Sequence, residues 1–116
     1  MSTPVGPYTP LVRAGAWLVC SGQLGLRDGA LVEGGTAAQL RQAIENAAAL
    51  LATEGASLAD VVKTTVFLAD IADYTEMNEA YVTGFAGHRP ARSAVAVAGL
   101  PLGAAVEIEL WAHRPA

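Results

Sequence analysis

The chain has little of what metal, redox or nucleic-acid chemistry needs. One cysteine, Cys20, and two histidines, His88 and His113, stand among 116 residues. A single thiol excludes an internal disulfide and suits a reducing compartment. Cys20 itself reads as a small hydrophobe within a strand. Without a His/Glu spacing motif, no metal site is expected. Only seven residues are basic, against eleven acidic, giving a formal net charge of −4 and a pI near 4.9. Arg89 and Arg92 alone lie close together, so phosphate-backbone binding is not expected, nor any nucleic-acid partner. No apolar run approaches the ~18 residues of a membrane span. The alanine-rich stretch from Ala43 to Ala52 is broken by Glu45 and Asn46. Met1-Ser2-Thr3-Pro4 lacks a basic start followed by an apolar run, so no signal peptide is read and a soluble cytoplasmic protein is expected. Gly25 and Gly29 do not stand between a strand and a helix, which excludes a dinucleotide loop.

What is present is apolar mass in small units. Hydrophobic residues make up 53% of the chain and charged ones only 16%, with alanine supplying much of the excess. One domain, 1–116, is expected, burying roughly two-thirds of its unfolded surface. A small chain this apolar is expected to cover part of that surface with another copy of itself.

The elements follow from periodicity and punctuation. Leu11 to Arg13 and Trp17 to Ser21 read as strands hinged at Ala14-Gly15-Ala16, and Arg27-Asp28-Gly29-Ala30 reads as a turn. Thr36-Ala37-Ala38-Gln39 has the form of a capping box opening a helix. Leu40, Ile44, Ala47 and Leu51 form its apolar stripe, and Gly55 stops it. Val61 to Leu68 is a β-branched run that predicts a buried strand. Asp73 to Glu76 then caps a second helix with Met77, Tyr81 and Phe85 as core face, ended by Gly87. Two further strands close the chain. The order is β-β-α-β-α-β-β, an α+β fold with one sheet and two helices on one face.

Those last two strands carry the functional lead. In Arg92 to Val97, alternation puts Arg92, Ala94 and Ala96 on one face. In Val106 to Leu110 it sets Glu107 and Glu109 with Trp111 against an apolar Val106, Ile108 and Leu110 face. Charges among small residues on a sheet suggest a pocket for a small anionic molecule. The helix-free face is where Arg92 and Glu107 are expected to point. An ion pair between Arg92 and Glu107 or Glu109 is the structural alternative.

Gly6-Pro7-Tyr8, Ser21-Gly22-Gln23, Asp60 through Leu68, Asn78-Glu79-Ala80-Tyr81, Pro90-Ala91-Arg92-Ser93 and Val106-Glu107-Ile108-Glu109 occur in order over nearly the whole chain. Together they resemble the reactive intermediate deaminase (RidA/YjgF) family. The resemblance implies a chorismate-mutase-like fold, a homotrimer of roughly 36 kDa (three 11.9 kDa chains) with sites in the clefts between subunits, and no cofactor. It implies hydrolysis of 2-imino acids or their enamines, such as 2-iminobutanoate and 2-iminopropanoate, to 2-oxo acids and ammonia. By position, Arg92 would grip the substrate carboxylate and Glu107 would position or activate water. Tyr8, Ser21 and Asn78 would line the cleft, and the backbones of Gly22 and Ala94 would lie beside the imine. Ala94 stands where many members have cysteine, which excludes thiol chemistry there. Glu109 is expected to be structural. A non-catalytic 2-oxo acid binding regulator, or a holdase chaperone, is the rival on the same fold. Retention of Glu107 favours the enzyme, because a carboxylate-binding pocket gains nothing from a second negative charge.

Overall fold

A computed structural model describes residues 4–116 of the chain. The expectation of no signal peptide falls largely on residues 1–3, which lie outside the described residues. Strands β1 (Leu11–Ala14) and β2 (Trp17–Gln23) form the first hairpin, and β3 (Leu26–Arg27) and β4 (Ala30–Leu31) a second, smaller one. Helix α1 (Gly35–Ala52), β5 (Val61–Leu68), α2 (Tyr74–Gly84), β6 (Ala91–Ala96) and β7 (Val106–His113) follow. The β3–β4 hairpin is additional to the expected order. Its turn is the expected one: Asp28 and Gly29 both have positive φ, 53° and 81°, the mirror-image geometry that matches strand twist.

Five strands make one sheet in the order β1-β2-β7-β5-β6. Only β5 and β6 are parallel, which is why a helix, α2, must carry the chain between them. Both helices lie on the same sheet face. Leu40, Ile44, Ala47 and Leu51 of α1 and Met77 and Tyr81 of α2 join Val66, Leu68, Val106, Ile108 and Leu110 in one buried core. The α+β architecture with two helices on one face is therefore as the periodicity implies.

The helix starts differ from expectation. The Thr36–Gln39 capping box does not form: α1 begins at Gly35 behind Gly34, whose φ of 112° only glycine adopts easily, and no side chain caps it from within. Thr36 instead donates to Asp73 Oδ2 at 2.8 Å, and the Ala37 amide donates to Glu76 Oε2 at 2.8 Å. The acids expected to cap α2 thus serve the N-terminus of α1, where the helix dipole favours negative charge. Gln39 accepts from the Ala105 amide at 2.9 Å, which ties α1 to the start of β7.

The opposite face carries no helix. Its residues include Val12, Trp17, Val95 and Trp111, each between 39% and 48% exposed. Trp17 packs edge-on against Trp111 and His113, with ring centroids 6.2 and 4.9 Å apart.

Gly25, just ahead of β3, lies close against α1. A Cβ there would lie 2.5 Å from the backbone of Gln39, which cannot yield as a side chain would. Gly25→Ala is expected to cost about 1–3 kcal/mol or more, read as a lower denaturant midpoint at unchanged m-value.

Candidate functional site

Residues paired across adjacent strands point to the same face, and their neighbours along each strand to the other. Arg92 pairs with Thr64, and Thr64 is fully buried against α2, bonded to the Tyr81 hydroxyl at 2.8 Å. Glu107 pairs with Phe67, three residues along β5 and so on the opposite face. This corrects the expectation that both charges share the helix-free face. Arg92 lies on the helix-covered side and Glu107 on the open side. Two strand spacings, about 10 Å, also separate β6 from β7. The expectation failed because alternation within each strand gives relative faces, whereas placing two strands on one sheet needs their register.

Arg92 lies where edge strand β6 meets α2. The guanidinium carbon sits 4.8 Å from the Tyr81 ring centroid and 5.7 Å from that of Tyr74. Among the described residues no carboxylate lies within ion-pair distance of Arg92, so the alternative of a structural pair with Glu107 or Glu109 does not form. A groove of about 390 Å³ opens here, lined by Asn78, Tyr81, Arg89 and Arg92 among others. Asn78 Oδ1 is buried beside it with no hydrogen-bond partner among the described residues. The Val97 amide donates inward to Leu68 O at 2.9 Å, so alternation along β6 turns the Ala94 amide outward, onto the free sheet edge. The Ala94 side chain packs on the core. His88 Nε2 donates to Val61 O at 2.8 Å, which commits that nitrogen to the backbone.

Glu107 lies beside a bulge. Cys20 pairs with Leu110 but Gln23 with Ile108, three steps on β2 against two on β7, so Ser21-Gly22 holds the extra residue. The Glu107 carboxylate rests directly on Gly22. A Cβ at that position would lie 2.7 Å from the carboxyl carbon and 3.0 Å from each oxygen. Burial, and then the neighbouring Glu109 charge, push the Glu107 carboxyl above the usual carboxylate range. Ser21 Oγ donates to Thr9 O at 2.7 Å, which occupies its proton. Tyr8 is 41% exposed, its hydroxyl accepting from the Val5 amide at 3.3 Å. Tyr8 and Gly22 join Leu24, Leu26 and Leu50 around a mostly apolar cavity of about 160 Å³.

The structure therefore sets Glu107 against Gly22, with Ser21 beside Gly22 in the bulge and Tyr8 lining a cavity with Gly22, and it places Asn78 and Arg92 along one groove, with Ala94 two residues on along β6. Tyr74 enters the second group unforeseen, and Met77 and Tyr81 enter it in a role beyond the core. Their signal was available: Tyr74, Met77 and Tyr81 at i, i+3 and i+7 share a helical stripe. Burial pushes the Cys20 thiol up to about 12, with Glu109 adding to the effect, so it is an inert core group. Among the described residues no three His, Cys, Asp or Glu side chains converge to hold a metal ion. No described helix is long and apolar enough to cross a membrane.

The family model described as Endoribonuclease L-PSP matches residues 1–114. A mouse protein named 2-iminobutanoate/2-iminopropanoate deaminase is 45% identical over 107 residues, covering 90% of this chain and 79% of its own. A RutC family protein of Pyrococcus horikoshii is 42% identical over 113 residues, covering 96% and 90%. The crystal structure of RidA from the Antarctic bacterium Psychrobacter sp. PAMC 21119 superposes with a TM-score of 0.91 at 42% identity, covering 96% of this chain and 91% of that one. On sequence and fold together, the chain belongs to the RidA/YjgF family.

Proposed function

We propose that the chain hydrolyses small 2-imino acids to 2-oxo acids and ammonia, as a trimer in which each site joins the Arg92 half of one copy to the Glu107 half of the next. The observation that carries this reading is the pair of uncompensated opposite charges on opposite sheet faces. In a 2-imino acid the carboxylate is bonded directly to the reacting carbon. One group must grip the carboxylate while another handles water a few ångströms away. A single chain separates Arg92 from Glu107 by its own sheet, so a second copy has to bring them together. The exposed Trp17, Trp111, Val12 and Val95 supply an apolar surface for that contact. The names of the mammalian relatives support the substrate class.

In this mechanism Arg92 binds the carboxylate through two parallel N–H donors, and the edge amide of Ala94 adds a third. Glu107 takes a proton from water as the oxygen attacks C2 of the imine. That proton passes to the nitrogen of the tetrahedral intermediate, formed from the protonated imine; as the C–N bond breaks, Glu107 takes the hydroxyl proton, the carbonyl forms, and ammonia leaves and carries that proton off as ammonium. A carboxyl with a raised pKa suits this two-way traffic, since it accepts a proton more readily than an ordinary carboxylate and can return it. Tyr8 shields the cleft, and Asn78 Oδ1 can accept a hydrogen bond from bound substrate or water. The nuclease in the family description needs a phosphate-binding surface that a chain of net charge −4 is poorly suited to provide.

The test is direct. An amino acid oxidase generates the imine in situ, and purified protein is added at micromolar concentration. Faster ammonia release with matching loss of semicarbazide-trappable imine is the expected result. An imine lifetime unchanged by the protein, alongside measurable 2-oxo acid binding, would replace the enzyme with the ligand-binding regulator.

A further inference from the structure

We propose that Tyr74, Met77 and Tyr81 of α2 form an uncharged cradle that positions the Arg92 guanidinium for carboxylate binding. The inference rests on the reading of Arg92 as the carboxylate clamp and adds the residues that aim it. The three side chains lie on one stripe of α2. Arg92 Nη2 donates to the Tyr74 hydroxyl at 3.2 Å, and Nη1 lies 3.6 Å from Met77 Sδ. The guanidinium carbon stands over both tyrosine rings, at 4.8 Å from Tyr81 and 5.7 Å from Tyr74.

The chemistry of these partners matters more than their number. An arginine held by a carboxylate is oriented but neutralised, and an incoming anion has to displace its partner. Ring faces and a thioether hold the cation through quadrupole and polarisation, leaving its charge intact. The two polar contacts occupy one N–H on each terminal nitrogen. Three of the five donors remain, including enough for a bidentate fork.

Tyr81 is itself fixed. Its hydroxyl shares a 2.8 Å hydrogen bond with Thr64, the residue paired with Arg92 in the sheet, and its ring packs on Phe85 with centroids 4.7 Å apart. Burial raises its phenol, with the Thr64 bond and the Arg92 charge opposing, which keeps the cradle neutral. Tyr74 is the exposed, replaceable wall at 41% exposure.

The experiment titrates assembled protein with 2-oxobutanoate, and separately with its uncharged amide, by calorimetry, and measures KM and kcat where turnover is present. Tyr74→Leu and Tyr81→Leu are expected to weaken 2-oxobutanoate about three- to tenfold each while leaving the amide unchanged. Tyr81→Phe, which keeps the ring face, is expected to stay within about twofold, and Tyr74→Phe to fall between. A structural role alone would lower thermal stability without separating acid from amide. If Tyr81→Leu fails to fold, Tyr74→Leu at the surface decides the question. Equal affinity for 2-oxobutanoate in wild type and Tyr74→Leu, with binding lost in Arg92→Ala, overturns the cradle and leaves the deaminase reading standing. Cradle-dependent binding without imine turnover does the reverse. A wild type that does not bind 2-oxobutanoate overturns the cradle as well.

Discussion

Arg92→Ala is expected to abolish imine hydrolysis and to weaken 2-oxo acid binding by about 10²–10⁴, because the proposed clamp loses two charge-assisted hydrogen bonds at about 1.5–3 kcal/mol each. The fold survives. Arg92 makes no ion pair among the described residues, so its removal strands no buried partner charge, the usual cause of large losses at buried arginines. Arg92→Lys returns the charge without the planar fork and recovers little of the rate. Steady-state kinetics and calorimetry on the three proteins check this. A folded Arg92→Ala protein with wild-type turnover removes the carboxylate clamp from the mechanism.

Glu107→Gln is expected to lower turnover by about 10²–10⁴, the scale of a positioned acid–base group, with 2-oxo acid affinity held or raised. Its pH behaviour has a definite sign. The folded state raises the Glu107 pKa, so activity that needs the carboxylate is lost as pH falls through a value above the ordinary carboxylate range. The acid limb of the rate profile is accordingly shifted upward, and Gln erases it. For stability the folded state binds this proton more tightly than the unfolded one. Stability therefore declines as pH rises from the unfolded pKa through the folded one, and Glu107→Gln is at least as stable as wild type at pH 7.

The same two variants test the shared site. If the proposed trimer shares its sites between copies, Arg92→Ala and Glu107→Gln chains refolded together in equal amounts are expected to regain about a quarter of wild-type activity, the fraction of randomly mixed sites with both groups intact. A site within one chain gives no recovery, since every chain lacks one half.

Local order was legible wherever period and punctuation agreed. The stripes of α1 and α2, the Val61–Leu68 strand and the Asp28-Gly29 turn all follow from short-range rules. The helix caps were misread because capping chemistry is portable: Asp73 and Glu76 satisfy groups on α1 that are distant in sequence. The bulge at Ser21-Gly22 left no signature, since it exists only in the offset between β2 and β7. Arg92 and Glu107 were identifiable as chemistry, but their opposite faces were not, because register between non-neighbouring strands is a tertiary property.

β7 follows the other four strands of its sheet along the chain, yet the sheet is built around it. It lies between β2 and β5, and until it arrives neither has an inner neighbour on that side. The other four strands therefore leave the ribosome before the central pairing exists. The βα segments already emerged must wait with their apolar stripes uncovered, and hydrogen bonds such as Gln39 to Ala105 close only at the end. Chains truncated before Val106 lack the keystone of the sheet and belong to quality control rather than to the folded pool.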